Sequence, residues 1–121
     1  MNCFIEGQKY EKTSKNSSGV FMKFLILQWI RPQTPIENLA KLTPAQFKYL
    51  EALESKGKIE KYYHLIGEQG HMIIVDVASD DELSKIVSED PLFFYSEREI
   101  HPLTTREIHK KHLRELIGRE T

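Results

Sequence analysis

From Met22 the chain reads Met-Lys-Phe-Leu-Ile-Leu-Gln-Trp-Ile, apolar at nearly every position. A short run that is apolar on both alternating faces predicts a strand over 23–30 that is covered on both sides. Residues 31–42 carry Pro32 and Pro35. They read as a long connection that forms a lid or a pocket wall. Thr43-Pro44 has the form of a helix start, and Phe47, Leu50 and Leu53 follow at helical spacing up to Gly57. This predicts a first helix over 44–56. Residues 59–66 alternate roughly, and 71–77 form a second apolar run, with Gly67 and Gly70 flanking the turn between them. Together they predict an antiparallel hairpin. Ser79 then precedes Asp80, Asp81 and Glu82, an N-cap with acids at the positive end of a helix that stops before Pro91. A fourth strand is predicted near 94–102. Thr104 or Thr105 caps a last helix carrying Ile108, Leu113, Leu116 and Ile117.

The order β-α-β-β-α-β is the ferredoxin-like split βαβ pattern, an α+β class with a four-stranded antiparallel sheet and both helices on one face. The first and third strands are apolar on both faces, so the second face needs a cover. The sheet of a second copy, closing a dimeric α+β barrel, is the simplest one. The C-terminal helix is the rival.

Composition narrows the class. Seventeen Lys and Arg against 18 Asp and Glu give a net charge of −1. That balance argues against a nucleic-acid or anionic-membrane partner. The single cysteine, Cys3, excludes an internal disulfide framework and a Cys-based zinc site. No apolar run approaches membrane-spanning length, and the N-terminus has no apolar signal core, so a cytoplasmic protein is expected. Residues 1–21 contain the aperiodic polar stretch Lys-Thr-Ser-Lys-Asn-Ser-Ser-Gly. They read as an N-terminal extension, loose or docked through Phe4 and Ile5, ahead of one domain over 22–121.

From Gly57 to Leu103 the chain resembles the muconolactone isomerase family. The likeness rests on Ser55-Lys56-Gly57, Ile66-Gly67, Val75-Asp76-Val77-Ala78-Ser79 and Glu82-Leu83. Its most specific piece is Pro91-Leu92-Phe93-Phe94-Tyr95, followed by Glu99-Ile100 and Pro102-Leu103. The resemblance implies the same fold, assembly as a homodimer or larger ring, and cofactor-free, metal-free isomerisation of a small lactone or aromatic-derived acid. It also places a glutamate of the family's first helix on Gln46, a side chain that cannot carry a proton.

Moving a proton along a conjugated lactone needs a base near neutral pKa and a donor for the developing oxyanion. His64 is the candidate base. Tyr62 lies two residues away on the same strand face and is the candidate donor; Tyr63 takes the other face. Glu68 is a candidate to orient or abstract. Trp29, Tyr63 and Phe94 are candidate substrate contacts. The expected pocket lies between the sheet and residues 31–42, lined by Trp29, Tyr62, His64 and Phe94. The competing reading of the same residues is a barrel lined by aromatics with an ordinary rim histidine, a small-ligand-binding or assembly module without chemistry. His71 and His101 read as strand-end or loop residues. His109 and His112 read as part of a solvated basic helix, with no third metal ligand at recognisable spacing.

Overall fold

The computed structural model describes residues 22–120; the N-terminal extension, with Cys3, Phe4 and Ile5, lies outside them. Strands β1 (Met22–Ile30), β2 (Ile59–His64), β3 (Gly70–Val77) and β4 (Ser96–Leu103) alternate with helices α1 (Ile36–Ser55) and α2 (Asp80–Ser88), and α3 (Arg106–Glu120) follows. The sheet order is β2-β3-β1-β4, with every neighbouring pair antiparallel. This is the ferredoxin-like α+β fold expected from the element order.

One element differs in extent. The first helix starts at Ile36, eight residues before the expected start, so Thr43 is not its cap and Pro44 lies inside it. The inward stripe explains this. Leu39, Leu42, Thr43, Gln46, Leu50 and Leu53 are buried or half-buried at helical spacing on both sides of Pro44, which is itself exposed. Proline removes one helix hydrogen bond, to Ala40, and tertiary packing of the stripe outweighs that loss. Pro35 takes the N-cap position instead. The lid expected over 31–42 is therefore mostly helix. At its other end Gly57, at φ +77°, closes a Schellman motif: Gly57 N–H donates to Glu54 and Lys58 N–H to Leu53. β4 begins at Ser96 because Phe93–Tyr95 form a short 3-10 turn rather than its first residues.

The cap of α2 follows the sequence. Ser79 Oγ accepts from Glu82 N–H at 3.1 Å, and Glu82 Oε1 accepts from Ala78 N–H at 2.8 Å. Thr105 Oγ1 accepts from Ile108 N–H at the start of α3.

The core lies between the sheet and the pair α1 and α2. Ile26, Ile73, Val75 and Val77 from the strands meet Leu50, Leu53 and Ile86 from the helices. Each such side chain contributes about 1.5–3 kcal/mol when fully buried. On the other face Leu25, Leu27, Trp29, Met72 and Ile74 are only half-buried. Helix α3 does not cover them: it is exposed from Arg106 through Gly118, with Leu116 at 54% and Ile117 at 61%. No helix among the described residues is long and apolar enough to cross a membrane.

Candidate functional site

The register of three strands sets a row of polar residues on the helix-facing side of the sheet. Gln28 pairs with His71, and His71 pairs with His64. Tyr62, two residues before His64, shares that face, and its ring meets the His71 ring edge-on at 5.5 Å. α1 crosses above the row and supplies Leu39, Thr43, Gln46 and Phe47. Between them lies a cavity of about 190 Å³, with Ile30, Gln69, Gly70 and Leu92 completing its wall. Gly70 is required at the rim, because a Cβ there would sit 2.5 Å from the Gln28 carbonyl oxygen and 2.8 Å from Trp29 Cδ1.

The inner end of the cavity is a buried polar network. Asp90 is only 7% exposed. Its carboxylate accepts from Gln46 Nε2 at 3.1 Å to each oxygen, from Gln28 Nε2 at 3.2 Å and from Leu92 N–H at 2.7 Å. Gln28 Oε1 in turn accepts from Arg98 Nε at 3.4 Å. A buried carboxylate without such donors would cost several kcal/mol, so the two amides and the backbone N–H are what make Asp90 tolerable.

This environment tunes the cavity groups. Burial pushes the His71 imidazole below the ordinary histidine value; Asp90 opposes the shift and His64 adds to it. His71 is therefore neutral at physiological pH. Burial also raises the Tyr62 phenol, with Asp90, Glu51 and Glu54 acting in the same direction, so Tyr62 keeps its proton and remains a hydrogen-bond donor. Among the described residues no group of three or more His, Cys, Asp or Glu side chains is arranged to hold a metal ion.

Of the residues singled out from sequence, the structure brings Tyr62 and His64 together on the cavity wall, with His64 at the exposed rim. The others lie elsewhere. Trp29 points to the open sheet face, where its Nε1–H donates to Glu68 Oε1 at 2.7 Å. Tyr63, also on that face, is 57% exposed, and Phe94 is 79% exposed on the 3-10 turn. Gln28 on the cavity wall and Asp90 behind it were not anticipated, and Gln46 was named only for the glutamate it replaces. Gln28 is the one polar residue between Phe24 and Ile30, and Gln46 occupies a core position of the α1 stripe; both carry a signal in the sequence. Asp90, beside Pro91 in a connection, carries none. His71 read as an ordinary strand-end residue because its pairing with His64 is a property of register.

Comparison with known proteins agrees with this fold. The family model described as muconolactone delta-isomerase matches residues 22–109. The muconolactone delta-isomerase of Rhodococcus opacus is 34% identical over 85 residues, covering 70% of this chain and 87% of the relative. Muconolactone delta-isomerase 1 of Acinetobacter lwoffii is 35% identical over 69 residues, 57% of this chain and 72% of that one. A crystal structure of muconolactone isomerase superposes with a TM-score of 0.63 at 19% identity, covering 70% of this chain and 91% of the other. The 5-chloro-2-hydroxyhydroquinone dehydrochlorinase of Burkholderia phenoliruptrix, solved with 2,5-dihydroxybenzoquinone, gives 0.53 at 25% identity over 64% of this chain and 91% of that one. With one continuous match from the first residue of β1 into α3, and relatives at about a third identity over most of their own length, this chain belongs to the muconolactone delta-isomerase family.

Proposed function

We propose that this protein is a cofactor-independent isomerase that moves a proton within a small lactone or aromatic-derived acid bound between α1 and the sheet. The observation that carries the reading is the cavity itself, where two imidazoles and a phenol that keeps its proton surround a space large enough for one small ring. His64 takes a proton from a carbon conjugated to the substrate carbonyl. Tyr62 donates a hydrogen bond to the dienolate oxygen that develops. The same imidazolium returns the proton to the other end of the conjugated system, so no electrons leave the substrate and nothing is consumed. His71, opposite His64 in the strand register, lines the same wall. Glu68 lies outside this arrangement, holding Trp29 on the opposite sheet face.

The working unit in this reading is a homodimer or a larger homo-oligomer, joined over the open sheet face by Leu25, Leu27, Trp29, Met72 and Ile74. A single layer of helices leaves that face half-exposed, and α3 of the same chain does not reach it. A cytoplasmic setting belongs to the same proposal.

The direct test is deuterium exchange and double-bond migration in small butenolides, followed by NMR with the full chain. Enzyme-dependent migration supports the isomerase. Saturable binding without exchange or migration would leave the non-catalytic ligand-binding module.

A further inference from the structure

Two apolar surfaces stand uncovered away from the cavity. The first is one side of α3. Ile108, Leu113, Leu116 and Ile117 recur there at helical spacing, and all four are exposed. A helix of 15 residues is marginal in water unless its apolar side packs against something, so this one calls for a partner surface. Arg106, Lys110 and Arg114, each four residues from the next, form a basic row along the edge of that side. The second surface is a trough of about 370 Å³ between α2 and β4, lined by Leu83, Val87, Phe93 and Ile100. The first three are only half-buried and Ile100 is exposed. Asp80, Ser84 and Ser88 complete the α2 wall. That wall is acidic, with Asp80, Asp81 and Glu82 in its first turn, Glu89 at its C-cap and Lys85 as its one cation. Lys58 holds Glu82, whereas among the described residues neither Asp80 and Asp81 nor the basic row of α3 has an ion-pair partner.

The two surfaces match in length, charge and relief. α2, with nine residues, is about 13 Å long, so the trough accepts the middle two turns of α3, where Leu113, Leu116 and Ile117 lie. The acids of the α2 wall suit the basic row. Ser84 and Ser88, four residues apart, are short enough for a ridge of larger side chains to seat between the walls. The helix and trough of one chain do not meet: α3 leaves β4 after only Thr104 and Thr105, its first turn is fixed by the Thr105 cap, and it is exposed along its length. Pairing α3 with a second α3 would set basic rows beside one another without any acidic wall to receive them. We propose that α3 of one copy docks in the α2–β4 trough of a second copy, its three aliphatic side chains among the apolar residues and its basic row beside Asp80 and Asp81. The contact joins unlike surfaces, so each copy gives a helix and can receive one. It adds to the assembly proposed over the open sheet face and does not depend on it.

The test is cross-linking between two differently tagged full-length chains, both carrying Cys3→Ser to remove the native thiol. One has Ser84→Cys in the trough and the other Leu113→Cys on α3, and a short bismaleimide joins them. Cross-linked product of mixed tags is expected, at a yield at least about tenfold above that of Lys111→Cys, which lies on the opposite side of α3. Adding Leu116→Asp to the α3 chain is expected to lower the yield by a similar factor, since it sets a charge in the apolar contact. The thermal midpoint should stay close to wild type, because Leu116 is exposed within its own chain. Equal yields from Leu113→Cys and Lys111→Cys, or a yield that Leu116→Asp leaves unchanged, would overturn the proposal. Linking of Leu113→Cys chains to one another in preference to Ser84→Cys would replace it with a helix pair. A link confined within single chains carrying both cysteines would replace it with α3 folding back on its own trough. The same reaction in Leu27→Lys chains separates this contact from the sheet face: a link that persists there supports it, and a link lost there would assign the product to the sheet-face assembly instead.

Discussion

Gln46 on α1 holds the buried carboxylate of Asp90 with one nitrogen, 3.1 Å from each oxygen. The resemblance places a glutamate of related isomerases on this position. Here that carboxylate is absent from the helix, and a different one, anchored in the connection before β4, lies beside it. An amide is the residue this geometry requires, because it alone among the near-isosteres donates to a carboxylate.

Gln46→Glu is therefore expected to destabilise the fold by about 2–4 kcal/mol at pH 7, since it sets two carboxylates in one buried site and removes a donor. The pair would share a proton, raising a folded-state pKa above its unfolded value. The penalty is then present above that raised pKa and is lost as pH falls through it. Urea unfolding of variant and wild type at pH 7 and pH 5 checks this. A difference that does not shrink at the lower pH would assign the loss to packing instead.

His71 makes the wild-type protein sensitive to acid. Its folded-state pKa lies below the ordinary value of 6.5, so the unfolded chain binds the proton more readily. Stability from this group is fully present above 6.5 and declines as pH falls from there to the folded-state pKa. His71→Gln should flatten the fall in urea midpoint between pH 7.5 and pH 5.5. An unchanged slope would place the acid sensitivity on other groups.

For catalysis the informative pair is His64→Ala and Tyr62→Phe. Positioned acid–base groups contribute about 10²–10⁴-fold, so His64→Ala should lower kcat by that much. His64 is exposed at the rim, so the thermal midpoint should stay close to wild type. Loss of the phenol should reduce kcat about 10²-fold with little change in KM, because the oxyanion it serves exists only in the transition state. Turnover that survives His64→Ala would remove the assigned base.

Gly70→Ala tests the close approach of β1 to β3. The added methyl would meet a backbone oxygen at 2.5 Å, which cannot rotate away, as well as the Trp29 ring. A loss of about 1–3 kcal/mol is expected, together with weakened ligand binding at the cavity rim that Gly70 forms. Wild-type stability in this variant would show that the strand ends relax freely.

Leu27→Lys tests the open face. Leu27 pairs with Met72 and Glu99 on the side away from the helices. A charge buried there between two sheets would disrupt the assembly while leaving each chain's core untouched. Sedimentation should show wild type as a dimer or larger and the variant as a monomer with native circular dichroism. A monomeric wild type would overturn the proposed assembly.

The order of elements was legible because each left a local mark. The two-sided apolar run of β1, the Ser79 cap of α2, the Gly57 stop after α1 and the Thr105 cap of α3 act within a few residues, where the chain's own chemistry decides. The start of α1 was not legible in the same way. Thr43-Pro44 is a strong local signal for a boundary, and it was overruled by a stripe running from Leu39 to Leu53 whose burial depends on the sheet beneath it. The site divides along the same line. That Tyr62 and His64 share a face was legible because a strand's side chains alternate with a period of two. Trp29 and Glu68 were expected at the pocket, yet they meet on the other face, and only the pairing of β1 with β3 decides which face that is. The meeting of Gln28, Gln46 and Asp90, and the alignment of His71 with His64, join residues distant in sequence through strand register and helix packing. Local propensity carries no information about either, so the buried network behind the cavity is a product of the tertiary structure alone.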